Sequence, residues 1–151
     1  NHESILRPNN FVVKKIIKAA FDIASGDAQE LVLGNVDIRR DFGYAPEYVL
    51  AMHKILSEDE PDDYILATGV SISIREIIGE VFRELQISES CVRVDSHLIR
   101  KGEVMETWAI ADKAKTKIDW EPNYKGRALI LKLVADYRSQ LTQGGGAGAF
   151  K

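Results

Sequence analysis

Three short stretches of the chain each combine arginine with other polar side chains. They cover residues 1–10, 39–44 and 100–103. Guanidinium groups bind phosphate oxygens through paired hydrogen bonds, and the free amide groups at a helix entrance also favour anions. Three arginine-bearing loops on one scaffold therefore predict a binding site for a diphosphate.

Each stretch also has a purely structural interpretation. The polar residues at 1–10 could cap the helix that follows them, and Arg40 could form an ion pair with its neighbour Asp41. Arg100 and Glu103, three residues apart, suit a surface salt bridge as well as they suit a phosphate and ribose hydroxyls. The spacing of the residues leaves both interpretations open.

Other reactive side chains stand alone, and we interpret them as structural. The chain has one cysteine, so no disulfide can form within it, and no His/Cys cluster has metal-ligand spacing. Phosphate-binding glycine loops, nucleophile elbows and zinc-protease motifs are absent from the sequence, so no catalytic residue and no metal ligand is assigned. The structural assignments are packing for Cys91, Trp108 and Trp120, surface positions for His53 and His97, and a solvated helix face for Lys14, Lys15 and Lys18.

Alternating helical and strand patterns supply the scaffold. Gly26 provides a stop for the first helix, and Ser73 with Glu76 forms a capping box that begins another. Hydrophobic periodicity predicts helices over 11–25, 46–57, 73–85, 112–118 and 126–143, and strands over 31–34, 64–68 and 91–94. Short strands separated by helices indicate an α/β or α+β fold, and we assign the α/β class.

Composition is that of an ordinary globular protein. The 151 residues are 45% hydrophobic and 28% charged, which is enough for one domain with a real core. A net charge of −3 without a basic run argues against a nucleic-acid partner, and no apolar run approaches the roughly 20 residues of a membrane span. We therefore expect a soluble cytoplasmic protein with one domain over 1–143 and a flexible Gly/Ala-rich tail over 144–151.

Four motifs follow one another along the chain. They are Asn1-His2-Glu3-Ser4, Asn10-Phe11-Val12, Leu33-Gly34-Asn35-x-Asp37-x-x-Arg40-Asp41-Phe42-Gly43-Tyr44-Ala45-Pro46-Glu47-Tyr48-Val49 and Ala67-Thr68-Gly69-x-Ser71-x-Ser73. Together they resemble the C-terminal half of the GDP-mannose 4,6-dehydratase family. These enzymes are extended short-chain dehydrogenases/reductases that act on nucleotide sugars, and the resemblance runs from Asn1 to about Tyr137.

The resemblance implies that this chain is the substrate-binding portion of such an enzyme and folds as a small sheet with several helices. It also implies that the chain lacks the Rossmann half, which binds most of the cofactor. Family members use NADP, with NAD as the alternative. They oxidise GDP-mannose at C4, eliminate water across C5 and C6, and return the hydride to C6. Their catalytic Tyr-x-x-x-Lys pair would lie upstream, so we expect this chain to be inactive alone and the full-length protein to be a homo-oligomer.

The resemblance also assigns site residues. His2 and Arg7 fall on positions that contact NADP. The positions around the nucleotide sugar are occupied by Asn1, Asn10, Lys15, Arg40, Arg100 and Glu103.

This chain departs from the family pattern at two of these places. Ile5-Leu6-Arg7-Pro8 replaces the usual Pro-Arg-Arg-Gly, and Lys101 replaces the Pro that usually follows the arginine. The alternatives are a dehydratase or epimerase for another nucleotide sugar, and a non-catalytic nucleotide-sugar-binding module.

Overall fold

The computed structural model describes residues 1–144, in which five α-helices alternate with seven short strands. The helices are α1 (Val12–Ser25), α2 (Ala45–Leu56), α3 (Ile74–Glu84), α4 (Asp112–Ile118) and α5 (Gly126–Gly144). The strands are β1 (His2–Glu3), β2 (Leu31–Leu33), β3 (Arg39–Asp41), β4 (Gly43–Tyr44), β5 (Ser71–Ser73), β6 (Val92–Val94) and β7 (Glu106–Thr107). The α/β class is confirmed.

Two helix boundaries follow from local chemistry that the sequence displays. The Ser73 hydroxyl accepts a hydrogen bond from the Glu76 amide at 3.1 Å, and the Glu76 carboxylate accepts one from the Ser73 amide at 2.8 Å. Gly26 ends α1 with a φ of 86°, a left-handed conformation that glycine adopts without strain. The predicted capping box and the predicted stop are both confirmed.

The strands of the described residues form three small sheets. β1 pairs with β4 and β2 pairs with β6, both in parallel. In the third sheet β3 is central, antiparallel to β5 and parallel to β7. Arg40 therefore lies on a strand that is paired on both sides, opposite Ile72 of β5 and Thr107 of β7.

The main core lies between α1, α3, α5 and β2. Ile16, Ile77, Phe82 and Leu129 are completely buried in it. A second, smaller cluster joins α2 to α4 around Trp120, whose indole N–H donates to the Glu47 carbonyl at 2.9 Å. The predicted packing role of Trp120 is confirmed, and Cys91 is half-buried against the main core, also as predicted.

The predicted strand over 64–68 is wrong, because this segment has no regular secondary structure. At its end the backbone bonds to a side chain instead of to a neighbouring strand. The buried carboxylate of Asp41 accepts hydrogen bonds from the amides of Thr68 and Gly69, at 3.0 and 2.9 Å. The apolar pattern of residues 64–68 could not reveal this distant partner.

Two predicted environments are also wrong. Trp108 was assigned to the core, but its side chain is 56% exposed. Lys14 was assigned to a solvated helix face, but it is buried, and its ammonium donates to the Ile5 carbonyl at 2.7 Å and lies 4.3 Å from the Tyr137 ring centroid. A lysine can be buried this way because its long stem packs while its charge finds a carbonyl and an aromatic face.

Within residues 1–144, no helix is both long enough and apolar enough to cross a membrane. The same residues contain no group of three or more His, Cys, Asp or Glu side chains that could hold a metal ion. His53 and His97 lie on the surface, as predicted. Apart from Gly144, which ends α5, the predicted tail over 144–151 lies outside the described residues.

Glu121 ties α4 to the start of α5 and makes the stability depend on pH. Its carboxylate pairs with Lys115 at 2.7 Å and with Lys125 at 2.9 Å, and hydrogen bonds from these lysines lower the pKa of Glu121 from 4.5 to about 2. Because the folded-state pKa lies below the unfolded-state value, the pairs stabilise the fold above pH 4.5, and this stabilisation is lost as the pH falls towards 2.

We therefore expect Glu121→Gln to lower the free energy of unfolding at neutral pH, and the difference from wild type to disappear near the pKa of about 2. Urea unfolding of both proteins across this pH range measures the difference directly. A difference that does not change with pH would show that the ion pairs are not its source.

Candidate functional site

The two arginines of β3 have different environments. The Arg39 guanidinium pairs with Glu76 at 2.7 Å and Glu106 at 3.4 Å, and it donates to the Ser71 carbonyl at 2.9 Å. These contacts fasten β3 to β5 and β7. Arg39 is therefore occupied with holding the sheet together.

Arg40 keeps most of its hydrogen-bonding capacity free. Its Nη1 donates to the carbonyl of Arg39 at 2.7 Å and to that of Met105 at 3.4 Å. Within residues 1–144, its Nε and Nη2 have no partner and no carboxylate forms an ion pair with it. A guanidinium anchored through one nitrogen, with the other two nitrogens free, is arranged to bind an oxyanion.

The structural alternative for Arg40, an ion pair with Asp41, is wrong for the described residues. The Asp41 carboxylate is buried and turned towards Thr68 and Gly69, whose amides donate to it. Successive residues of a strand point to opposite faces, so Arg40 and Asp41 face opposite ways. Asp41 thereby fixes residues 67–69 beside the end of β3, while Arg40 faces away from them.

The segment that carries Arg100 and Glu103 is held at both ends, at one end beside Gly34, which follows β2, and at the other end against β3. At one end a Cβ on Gly34 would lie 2.7 Å from the Leu98 carbonyl oxygen, so the two backbones are in close contact. At the other end the Arg39 amide donates to the Met105 carbonyl at 2.7 Å. The structure thus places two of the three predicted arginine loops side by side.

Arg100 and Glu103 do not form the surface salt bridge that was the alternative, as far as the described residues go. Arg100 is exposed, and Glu103 is half-buried. The Glu103 Oε2 atom is buried and has no hydrogen-bond partner in this part of the chain. A buried acceptor without a donor costs about 1–3 kcal/mol, so this oxygen suits a ligand that brings a hydroxyl group.

Asn1 and His2 lie next to β4. The Gly43 amide donates to the Asn1 carbonyl at 3.1 Å, and the imidazole of His2 stacks on Tyr48 with 5.5 Å between ring centroids. Burial, and then nearby positive charge including that of Arg7, lowers the pKa of His2. Asn1 also lines an open cleft of about 160 Å³ at the end of β3.

Arg7 is oriented by a buried carboxylate and by an aromatic ring. Its Nε and Nη2 donate to Glu3 at 3.3 and 3.5 Å, and its guanidinium carbon lies 3.7 Å from the Phe11 ring centroid. Burial raises the pKa of Glu3, and the charge of Arg7 opposes this rise. The Nη1 of Arg7 has no partner within residues 1–144.

The capping alternative for residues 1–10 is wrong, because Phe11 is the N-cap of α1 and no side chain caps this helix. Asn10 is exposed in the turn before α1. Lys15 points elsewhere, since its ammonium donates to the Val32 carbonyl of β2 at 2.7 Å. The structure therefore brings Asn1, Arg40 and the Arg100–Glu103 segment to the sheet around β3, and places Lys15 against β2.

Of the residues that line the cleft, sequence reasoning assigned only Asn1 to the site, and the largest residue that it missed is Trp108. Trp108 lines it together with Asn1, directly after β7. Its neighbours Ala109 and Ile110 suggested a buried apolar run, yet Ile110 is itself 60% exposed. The polar residues before it, Glu106 and Thr107, were the signal in the sequence that this segment lies at the surface.

Gly34 offers a test of how this segment is positioned. In Gly34→Ala the new Cβ would press on the Leu98 carbonyl, 2.7 Å away, so one backbone must move. We expect a loss of about 1–3 kcal/mol in the free energy of unfolding and weaker ligand binding at Glu103. Gly79→Ala is the matched control, because its Cβ would be 3.4 Å from the nearest atom and alanine favours the interior of α3. Equal unfolding midpoints for the two variants would contradict the close contact.

Comparison with known proteins places this geometry in a family. The family model described as GDP-mannose 4,6 dehydratase matches residues 1–133. The chain is 36% identical to the GDP-mannose 4,6-dehydratase of Sinorhizobium fredii over 93% of this chain and 45% of that protein. It is 34% identical to the human GDP-mannose 4,6 dehydratase, covering 89% of this chain and 41% of the relative. The chain thus spans less than half the length of these curated relatives.

Solved structures show the same fold at lower identity. The RMD protein of Pseudomonas aeruginosa, complexed with NADPH, superposes with a TM-score of 0.79 at 22% identity, over 93% of this chain and 46% of that one. The dTDP-glucose 4,6-dehydratase of Bacillus anthracis, in complex with NAD, gives 0.78 at 16% identity, over 92% and 42%. These neighbours confirm the fold of the corresponding part of an extended short-chain dehydrogenase/reductase.

The family match covers residues 1–133, which include Arg40 and the segment bearing Glu103, and these lie side by side in the structure. The chain belongs to the GDP-mannose 4,6-dehydratase family.

Proposed function

We propose that this chain is the substrate-binding part of an enzyme that converts GDP-mannose into GDP-4-keto-6-deoxymannose and water with NADP. The observation that carries the proposal is the environment of Arg40. This guanidinium is anchored by one nitrogen, has free donors, and lies beside the segment that carries Arg100 and Glu103. Such an arrangement suits the diphosphate of a nucleotide sugar.

The other proposed contacts to the nucleotide sugar follow from where Glu103, Arg100 and Asn1 lie relative to Arg40. Glu103 would accept hydrogen bonds from the ribose hydroxyls, which would satisfy its buried Oε2. Arg100, exposed three residues earlier, would lie at the base, and Asn1 would lie at the sugar in the cleft at the end of β3. Asn10 and Lys15 are proposed as further nucleotide-sugar contacts on the resemblance to the family alone, since the structure gives Lys15 another partner.

The residues proposed to contact the cofactor fit a phosphate-bearing group. Arg7 is fixed between Glu3 and Phe11 with its Nη1 free, so it could hold a cofactor phosphate without reorganising. His2, stacked on Tyr48, would lie against the cofactor, and burial lowers the pKa of its imidazole. When it is bound, NADP supplies the hydride acceptor. We propose that the cofactor is NADP and not NAD, because the family that this chain resembles uses NADP.

The residues that carry out the chemical steps would lie in the other part of the full-length protein. Oxidation at C4, loss of water across C5 and C6, and return of the hydride to C6 require a general base near the nicotinamide. We assign no such residue within this chain. The full-length protein is proposed to act in the cytoplasm as a homo-oligomer. The exposed apolar side chains of Val49, Leu50 and Leu56 on α2 support burial of this helix against another protein surface.

Incubation with GDP-mannose and NADP tests the proposal. We expect the full-length protein to form the 4-keto-6-deoxy product, as followed by NMR of the sugar, and the isolated 151-residue chain to form none. Product from the isolated chain would refute the proposal that this chain binds the substrate and that the catalytic residues lie elsewhere in the full-length protein. Binding of GDP-mannose by the full-length protein without any product would favour a non-catalytic binding module.

A second candidate is a dehydratase or epimerase for another nucleotide sugar. The observation that favours it is Lys101, which follows Arg100 where the family usually has proline. A lysine next to the proposed base position adds a charge and a more flexible backbone, and both can change the preferred base. Product formation from UDP-glucose but not from GDP-mannose would support this candidate.

A further inference from the structure

Lys14 has an unusual environment for a lysine. It is the third residue of α1, and only 7% of it is exposed. Its ammonium donates to the Ile5 carbonyl at 2.7 Å and lies 4.3 Å from the Tyr137 ring centroid, and within residues 1–144 no carboxylate forms an ion pair with it. Burial lowers the pKa of this ammonium. Because a buried cation without a carboxylate is costly, core packing alone does not account for Lys14.

The carbonyl that Lys14 binds belongs to the loop between β1 and α1, residues 4–10. No residue of this loop is buried, and Ile5 itself is half-buried. The amide of Arg7 donates to the Ser4 carbonyl at 3.2 Å, which is a bond within the loop. In the described part of the chain, the bond from Lys14 is the one that fastens the main chain at the start of this loop to a helix.

This loop carries Arg7, the residue proposed to hold a cofactor phosphate. Its guanidinium contacts Glu3 at 3.3 and 3.5 Å and lies over the Phe11 ring. Both distances to Glu3 exceed the roughly 2.7–2.9 Å of a strong charge-assisted hydrogen bond, so this pair alone holds Arg7 loosely. The 2.7 Å bond from Lys14 to Ile5, two residues before Arg7, adds a constraint on the main chain.

We propose that Lys14 is a positioning residue for the cofactor: by holding the Ile5 carbonyl, it keeps Arg7 where its guanidinium can bind a cofactor phosphate. This inference rests on the proposed function, because it uses the proposed contact between Arg7 and NADP. A loop that is already held in place does not have to be ordered during binding, and this raises the affinity. An apolar side chain would fill the same space but would give the loop no hydrogen bond.

Calorimetry with NADP and the full-length protein tests this role in Lys14→Met, which keeps the packing on the Tyr137 ring and loses the hydrogen bond. We expect NADP binding to weaken by about three- to tenfold and GDP binding to stay unchanged. The unfolding midpoint should not fall, because methionine replaces an unpaired buried charge. Without cofactor, amide hydrogen exchange in residues 4–10 should be faster than in wild type.

Three further variants separate positioning from a general structural role. Lys14→Arg keeps a cation and its donors, so it should retain most of the affinity for NADP. In a double-mutant cycle with Arg7→Ala, Lys14→Met should have no further effect on NADP binding once Arg7 is absent. Lys18→Met is the matched control on the same helix, since the Lys18 side chain is 40% exposed and pairs with Asp22. It should change the affinity for neither ligand.

Two results would overturn the inference alone. One is unchanged NADP affinity in Lys14→Met while Arg7→Ala binds NADP more weakly, and the other is an equal effect of Lys14→Met with and without Arg7. If Arg7→Ala bound NADP as tightly as wild type, the proposed contact of Arg7 would be rejected and this inference with it. Absence of NADP binding to the wild-type protein would reject the proposed cofactor and this inference together.

Discussion

Replacement of Asp41 by alanine is expected to lower the free energy of unfolding by about 1 to 3 kcal/mol. Its buried carboxylate accepts hydrogen bonds from the amides of Thr68 and Gly69 and from the Thr68 hydroxyl. Removing it leaves the amide of the buried Thr68 without a partner, and such a buried, unsatisfied donor costs about 1–3 kcal/mol, whereas the Thr68 hydroxyl keeps the Val70 carbonyl at 3.3 Å. Residues 67–69 have no strand ladder, so loss of the carboxylate removes the hydrogen bonds that the amides of Thr68 and Gly69 make.

Urea unfolding compares Asp41→Ala with two other variants. Asp41→Asn keeps one carbonyl acceptor and should lose less stability than the alanine variant. Asp59→Ala, which removes an exposed carboxylate, should stay within about 0.5 kcal/mol of wild type. If Asp41→Ala cost no more than Asp59→Ala, the carboxylate would not be what organises the segment around Thr68.

Arg40→Ala should weaken binding of GDP-mannose to the full-length protein by about 1.5 to 3 kcal/mol, or about 10- to 100-fold in Kd. The guanidinium has two nitrogens without partners in the described chain, and a diphosphate would use them for charge-assisted hydrogen bonds. The fold should survive, because the sheet is fastened by the neighbouring Arg39. Calorimetry measures the affinity, and thermal unfolding checks the fold.

Two variants control for charge and geometry at Arg40. Arg40→Lys keeps the charge but loses the planar fork, so its affinity should lie between those of wild type and Arg40→Ala. Arg138→Ala removes an exposed arginine of α5 that pairs with Glu84 at 3.4 Å, and it should leave the Kd unchanged. If Arg40→Ala bound GDP-mannose with unchanged affinity, the proposal that Arg40 contacts the diphosphate would be contradicted.

The helices were predictable because their signals are local. The capping box of Ser73 and Glu76 and the stop at Gly26 use residues that are neighbours in the sequence, and both form as predicted. The parallel pairing of β2 with β6 joins residues 61 positions apart, from Leu31 to Val92. The sequence indicated that both segments are strands but carried no information on their pairing.

Two of the errors share a cause, which is a partner distant in the sequence. Residues 64–68 have the composition of a strand, but at the end of this segment the amide of Thr68 donates to Asp41, 27 residues earlier, and not to a neighbouring strand. Lys14 resembles a solvated lysine until the Ile5 carbonyl and the Tyr137 ring are brought to it. Propensity describes a residue and its neighbours, and tertiary contacts override it.

The candidate site was predictable in its residue types and not in its arrangement. The sequence left Arg40 undecided between an ion pair with Asp41 and a ligand contact, because both alternatives use the same adjacent residues. The structure separates them by turning Asp41 towards Thr68 and leaving Arg40 with free donors. In the same way, only the folded chain shows that Glu103 has a buried oxygen without a partner.

A competition titration of the full-length protein with GDP, UDP and CDP tests the central claim most directly. Guanine offers N1–H and amino donors and an O6 acceptor, so a site built for it leaves groups unpaired when another base binds. We predict a preference for GDP of at least about tenfold, or roughly 1.4 kcal/mol. Equal affinities for the three diphosphates would contradict the assignment of a GDP-sugar, and would leave only a general diphosphate site at Arg40.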